Sequence, residues 1–137
     1  MNVSPETLLI VRQWVSVAES DLTSAEILER EGEEATAPTM CFLSQQCAEK
    51  YVKALLTLNS IAFPKTHDLA ELLEGLPSAA MPRVSVENLS ALRPHAVETR
   101  YPGDWEPLTL ADAGRALEIA RQVRHEVRAL LPNEARS

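Results

Sequence analysis

The segment from Pro38 to Ser60 constrains this chain more than any other, because it is apolar around most of a helical circumference. Projected at about 100° per residue, Met40, Leu43, Cys47, Tyr51, Ala54 and Leu58 form one face. Cys41, Ala48, Val52 and Leu55 form a second. Its polar groups, Gln46, Glu49, Lys50, Lys53 and Thr57, are confined to one arc of about 100°. A helix of this kind is covered on several sides, either at the centre of a bundle or at a subunit interface. Both solutions satisfy the pattern, and the small size of the chain favours a homodimer.

The flanking segments supply the cover. Ser4-Pro5-Glu6 reads as a helix start, with a cap, proline at the first helical position and an acid in the first turn. Leu8, Val11, Val15, Ala18, Leu22 and Ala25 follow at spacings of three and four, and the helix fades in the charged run Glu29 to Glu34. A short helix is predicted from Asp68 to Leu76, with Thr66 as its cap and Gly75 and Pro77 ending it. In the proline-rich stretch beyond, a helix over Val86 to Thr99 is predicted to bend or break at Pro94. Thr109 and Asp112 form a capping box that opens a last helix running to Leu131, with Ala113, Leu117, Ala120, Val123, Val127 and Leu130 as its stripe. No alternating strand pattern competes. The 137 residues therefore predict one all-α domain, an up-and-down antiparallel four-helix bundle with an additional short helix.

Charge narrows the search for a site. The net charge of -7 disfavours bulk DNA binding, which needs a basic surface and counterion release. Residues 1–36 hold eight acids against two arginines, whereas residues 37–66 hold Glu49 against Lys50, Lys53 and Lys65, the only lysines of the chain. No apolar run is long enough to cross a membrane, and the N-terminus lacks a signal-peptide pattern, so a cytoplasmic protein is expected. Cys41 and Cys47 are six residues apart on a helix and point in different directions, which speaks against a disulfide.

A few residues carry candidate chemistry. Asp21 falls within the apolar arc of the first helix, beside Trp14, Ala18 and Ala25, where a carboxylate is costly unless paired. Lys50, Lys53 or Arg100 could be its partner. His67 either packs locally against a carboxylate or backbone group, or contacts a phosphate near Lys50, Lys53 and Arg100. Arg100-Tyr101 combines a bidentate phosphate binder with a ring able to stack on a base, or else closes an ion pair to Asp21 or Glu49. The histidines and cysteines show no metal-ligand spacing, and no cofactor is expected. A Cys47–His67 nucleophile pair is conceivable, but Cys47 lies on an apolar face and reads as an inert core thiol.

Four blocks together resemble the HEPN family, the higher eukaryotes and prokaryotes nucleotide-binding domains. They are Trp14, Ala18, Asp21, Leu22 and Ala25; the run Cys41-Phe42-Leu43-Ser44-Gln45-Gln46-Cys47-Ala48-Glu49-Lys50 with Lys53-Ala54-Leu55-Leu56; Lys65-Thr66-His67-Asp68-Leu69; and Thr99-Arg100-Tyr101-Pro102. The resemblance implies a helical bundle, commonly dimeric, that works beside a small nucleotidyltransferase, in some cases as a toxin–antitoxin pair. It also implies, for catalytic members, a metal-independent ribonuclease with an arginine followed at short range by a histidine near the last helix. Here no histidine follows Arg100 in reach, Arg93 and His95 are too close, and Arg121 and His125 read as a solvated pair one turn apart.

The leading expectation is accordingly a binding domain rather than an enzyme. It would be the partner of a nucleotidyltransferase, or a binder of a nucleotide or specific RNA, with Arg100, Tyr101, His67, Lys50 and Lys53 at the site and Asp21 and Glu49 orienting them. A ribonuclease toxin with a degenerate motif and a structural dimerisation module are the alternatives.

Overall fold

A computed structural model describes residues 3–97 and 107–136. Among these residues five α-helices follow one another: α1 over Pro5–Glu31, α2 over Ala37–Leu58, α3 over Leu69–Leu73, α4 over Val86–Ala91 and α5 over Leu110–Arg128. Among the described residues there is no β-strand. The long helices begin and end where local chemistry dictates. Ser4 Oγ accepts the Thr7 N–H at 3.1 Å at the start of α1, and Gly32 ends it in the left-handed region at φ 67°. Both halves of the Thr109–Asp112 capping box form at the start of α5, at 3.1 and 2.9 Å.

Helix α2 is the axis of the molecule. Met40, Tyr51, Leu55 and Leu56 are fully buried along it. Val11, Val15, Ala18, Leu22 and Ala25 of α1 and Ala113, Leu117, Ala120, Val123 and Val127 of α5 close over it, as the two stripes predict. This cover comes from one chain, so the apolar circumference of α2 does not itself require a second copy. Ion pairs fix the register of α1 against α5. Arg121 bonds Glu26 and Glu29, both at 2.9 Å, and Arg124 holds Glu19 through two bonds at 2.7 and 2.8 Å. As numbers rise along one helix they fall along the other, so α1 and α5 are antiparallel. Arg121 is thus tied across the bundle to α1, and the solvated pair with His125 expected from spacing does not form. Two facing carboxylates outcompete an exposed imidazole.

The third column of the bundle is broken. Pro82 lines one surface cavity with Glu126 and Leu130, Asn88 Nδ2 donates to Gln122 Oε1 at 2.9 Å, and His95 lines another cavity with Asp112 and Ile119. Residues 78–95 therefore run antiparallel to α5. The helix expected over Val86 to Thr99 ends at Ala91, and Arg93–His95 forms a single 3₁₀ turn around Pro94, which cannot donate an N–H. Helix α3 is also shorter than expected, and its cap is Asp68 rather than Thr66. Asp68 Oδ1 accepts from Ala70 and Glu71 at 3.1 and 3.4 Å, while Thr66 Oγ1 accepts the Asp68 N–H at 3.0 Å and closes the turn ahead of the helix.

One backbone conformation positions the site. After α2, Ser60 adopts a positive φ of 58°, and the Ile61 N–H donates to the Leu56 carbonyl at 2.9 Å. The chain reverses there. Residues 61–68 then fold back along the polar arc of α2.

Candidate functional site

The reversal brings His67 onto Glu49. The imidazole Nδ1 lies 2.9 Å from Glu49 Oε1, with the ring side chain 61% exposed and the carboxylate side chain only 5% exposed. Glu49 is a hub. Gln45 Nε2 donates to its Oε1 at 2.9 Å, and Lys53 Nζ donates to its Oε2 at 3.1 Å. Gln46 Nε2 in turn donates to Gln45 Oε1 at 2.8 Å, which satisfies that fully buried amide. Burial pushes the Glu49 carboxyl up. The bonds from Gln45, His67 and Lys53 outweigh it, and hold the group below the ordinary carboxylate value of 4.5.

Asp21 finds its partner in Lys50, at 2.6 Å across the α1–α2 contact. Lys53 also sits over two rings, 5.5 Å from the centroid of Trp14 and 5.5 Å from that of Phe63. Arg93 reaches Asp68, the neighbour of His67, at 3.6 Å. Among the described residues the site is therefore charge-balanced: Asp21, Glu49 and Asp68 each face one of Lys50, Lys53 and Arg93. With Nδ1 on a carboxylate, His67 Nε2 offers a lone pair when neutral and an N–H donor when charged.

Of the residues read from sequence, the structure thus gathers His67, Lys50, Lys53, Asp21 and Glu49 along one arc. Arg100 and Tyr101 lie outside the described residues. Four contributors escape a reading of the sequence. Gln45 looks like part of an apolar run, Trp14 like core, and Arg93 stands too close to His95 to suggest a motif. Phe63 carries one usable signal, the following Pro64, which restricts it to extended backbone and so to a fixed loop.

A second polar cluster lies on the opposite side of α2. Tyr51 Oη donates to Glu19 at 2.7 Å and accepts from Arg128 at 3.2 Å. Burial and the Glu19 carboxylate push the Tyr51 phenol well above its ordinary value, and the Arg124 bond holds Glu19 down. These groups saturate one another and tie three helices together. Cys41 and Cys47 are buried thiols. Burial, with Glu19 and Asp21 nearby, pushes Cys47 up to about 12, so it is no thiolate nucleophile at neutral pH. Among the described residues no cluster of His, Cys, Asp or Glu could hold a metal ion, and no helix is long and apolar enough to cross a membrane.

Comparison with known proteins places this bundle. The HEPN domain family matches over residues 11–130, and the chain belongs to that family. Among solved structures, TT1696 from Thermus thermophilus is 28% identical with a TM-score of 0.72, over 88% of this chain and 98% of its own. ST0689, an archaeal HEPN homologue, is also 28% identical, with a TM-score of 0.64, over 87% of this chain and 95% of its own. No curated protein matches significantly.

Proposed function

We propose that this HEPN domain acts by binding, and that its ligand is a phosphorylated nucleoside, free or at an exposed position of an RNA, held at the His67 face. The observation that carries the reading is the pairing of a buried carboxylate, Glu49, with an exposed imidazole. A buried ionised group on a core helix adds little stability over an apolar residue of similar size. What it does achieve is to fix the ring so that Nε2 faces outward, ready to accept from a ribose hydroxyl or, when protonated, to donate to a phosphate. Arg93 reaches Asp68, the residue after His67, at 3.6 Å, and the family resemblance adds Arg100 and Tyr101 as ligand contacts. The same resemblance supports a homodimer paired with a small nucleotidyltransferase in a toxin–antitoxin-like arrangement, and the two buried thiols support a reducing cytoplasm.

Calorimetric titration with AMP tests the binding reading. Wild type binds and His67→Ala does not, while the circular dichroism spectrum of the variant keeps the helical signal of wild type and its melting temperature falls only by the loss of the Glu49 bond. Equal binding by both proteins refutes it.

The dyad also favours a second reading. An imidazole held at Nδ1 by a carboxylate presents Nε2 as a general base for a ribose 2′-hydroxyl, a role the spacing of histidines around the last helix gives no reason to assign to His67. Metal-independent cleavage of single-stranded RNA in EDTA, abolished by His67→Ala, would establish it; intact RNA at high protein concentration would exclude it.

A further inference from the structure

The chain has only six aromatic residues, and two of them stand beside Lys53. Trp14 is partly exposed and Phe63 is 38% exposed. Their centroids are 5.7 Å apart and their planes meet at 68°. Aromatic side chains contribute most to stability when fully covered, as Tyr51 is here. This pair is only partly covered instead, with Trp14 against the core and Phe63 exposed, and two independent devices fix it. Trp14 is carried on the rigid α1, and Phe63 is pinned by Pro64 and by the reversal at Ser60.

The two rings meet edge to face at a corner, with Lys53 Nζ over both of them. Lys53 Nζ lies between that corner and Glu49, whose other oxygen holds His67. An apolar corner next to groups that select a sugar phosphate fits one chemical class: a planar heteroaromatic ring attached to that phosphate. We infer that Phe63, buttressed edge to face by Trp14, forms the nucleobase subsite of the ligand proposed above, the base stacking on the exposed part of the Phe63 ring. The inference rests on the nucleotide-binding reading and adds to it the part of the ligand that is recognised and the residues that recognise it. Because stacking uses a face that every base possesses, the subsite favours nucleotides over sugar phosphates without strong choice among bases.

The test uses AMP and ribose 5-phosphate as probes, titrated by calorimetry into wild type, Phe63→Leu and His67→Ala. Leucine keeps the apolar bulk and removes the ring face. Phe63→Leu should weaken AMP about tenfold or more while leaving ribose 5-phosphate affinity unchanged. In a Trp105→Phe background, where Trp14 is the sole tryptophan, AMP should quench its fluorescence and ribose 5-phosphate should not. Undiminished AMP binding by Phe63→Leu, with His67→Ala still defective, overturns the base subsite and leaves the binding reading intact. If wild type binds neither probe, both fail.

Discussion

The carboxylate of Glu49 and the imidazole of His67, eighteen positions apart in sequence, are joined at 2.9 Å between the buried axis of the bundle and its surface. The bond links a core helix to a returning loop, so changes at Glu49 affect stability and the outer face together. Glu49→Gln keeps the shape and removes the charge. Its destabilisation should be about 1–2 kcal/mol by chemical denaturation. Glu49→Ala should cost somewhat more, about 2–3 kcal/mol, because the fully buried Gln45 loses its acceptor while Lys53 and His67 can reach water.

Acidification reads the same group independently. The folded Glu49 carboxyl lies below its ordinary value of 4.5, as does Glu19. Folding therefore weakens their hold on a proton. The stability they contribute is complete above that ordinary value and is lost as pH falls from it through the folded value. Melting temperature should fall steeply between about pH 5 and pH 3, and more shallowly in Glu49→Gln. Identical slopes would show that Glu49 does not contribute.

Tyr51→Phe isolates the cluster on the other side of α2. The variant removes a hydroxyl that bonds Glu19 and Arg128. Both partners retain access to solvent, so the cost should be about 1 kcal/mol. Tyr51 projects about 200° from Glu49 around the helix, and AMP affinity should be unchanged.

Ser60→Gly should stabilise the protein by about 0.5–1 kcal/mol in a denaturant titration, since a residue with a Cβ is strained at the φ of 58° that reverses the chain. Ser60→Val should do the opposite and loosen the return of Phe63 and His67.

Much of this fold was legible in the sequence because local rules and global packing agree. The stripe of α1, the Ser4-Pro5 start and the Thr109–Asp112 box each point to the element that forms. Disagreement begins where two side chains compete for one role. Thr66 and Asp68 both suit a helix cap, and only the chain path decides that Asp68 takes it. Likewise Asp21 demanded a partner, but sequence could not choose among Lys50, Lys53 and Arg100 without the helix crossing that puts Lys50 at 2.6 Å. Arg121 illustrates the opposite error: its neighbour one turn away was visible, and its partners on α1, more than ninety positions distant, were not. The site was half visible. Its polar arc was written in α2, whereas the loop that completes it depends on one left-handed residue.

The most direct test is to watch the His67 ring itself. With ¹⁵N-labelled histidine, the imidazole resonances of His67, His95 and His125 can be followed by NMR as AMP is added. Saturable movement of the His67 Nε2 signal, with Nδ1 remaining in its Glu49 bond and His125 unmoved, is the predicted result. A His67 spectrum that does not change at millimolar AMP would contradict the assignment of this face as the binding site.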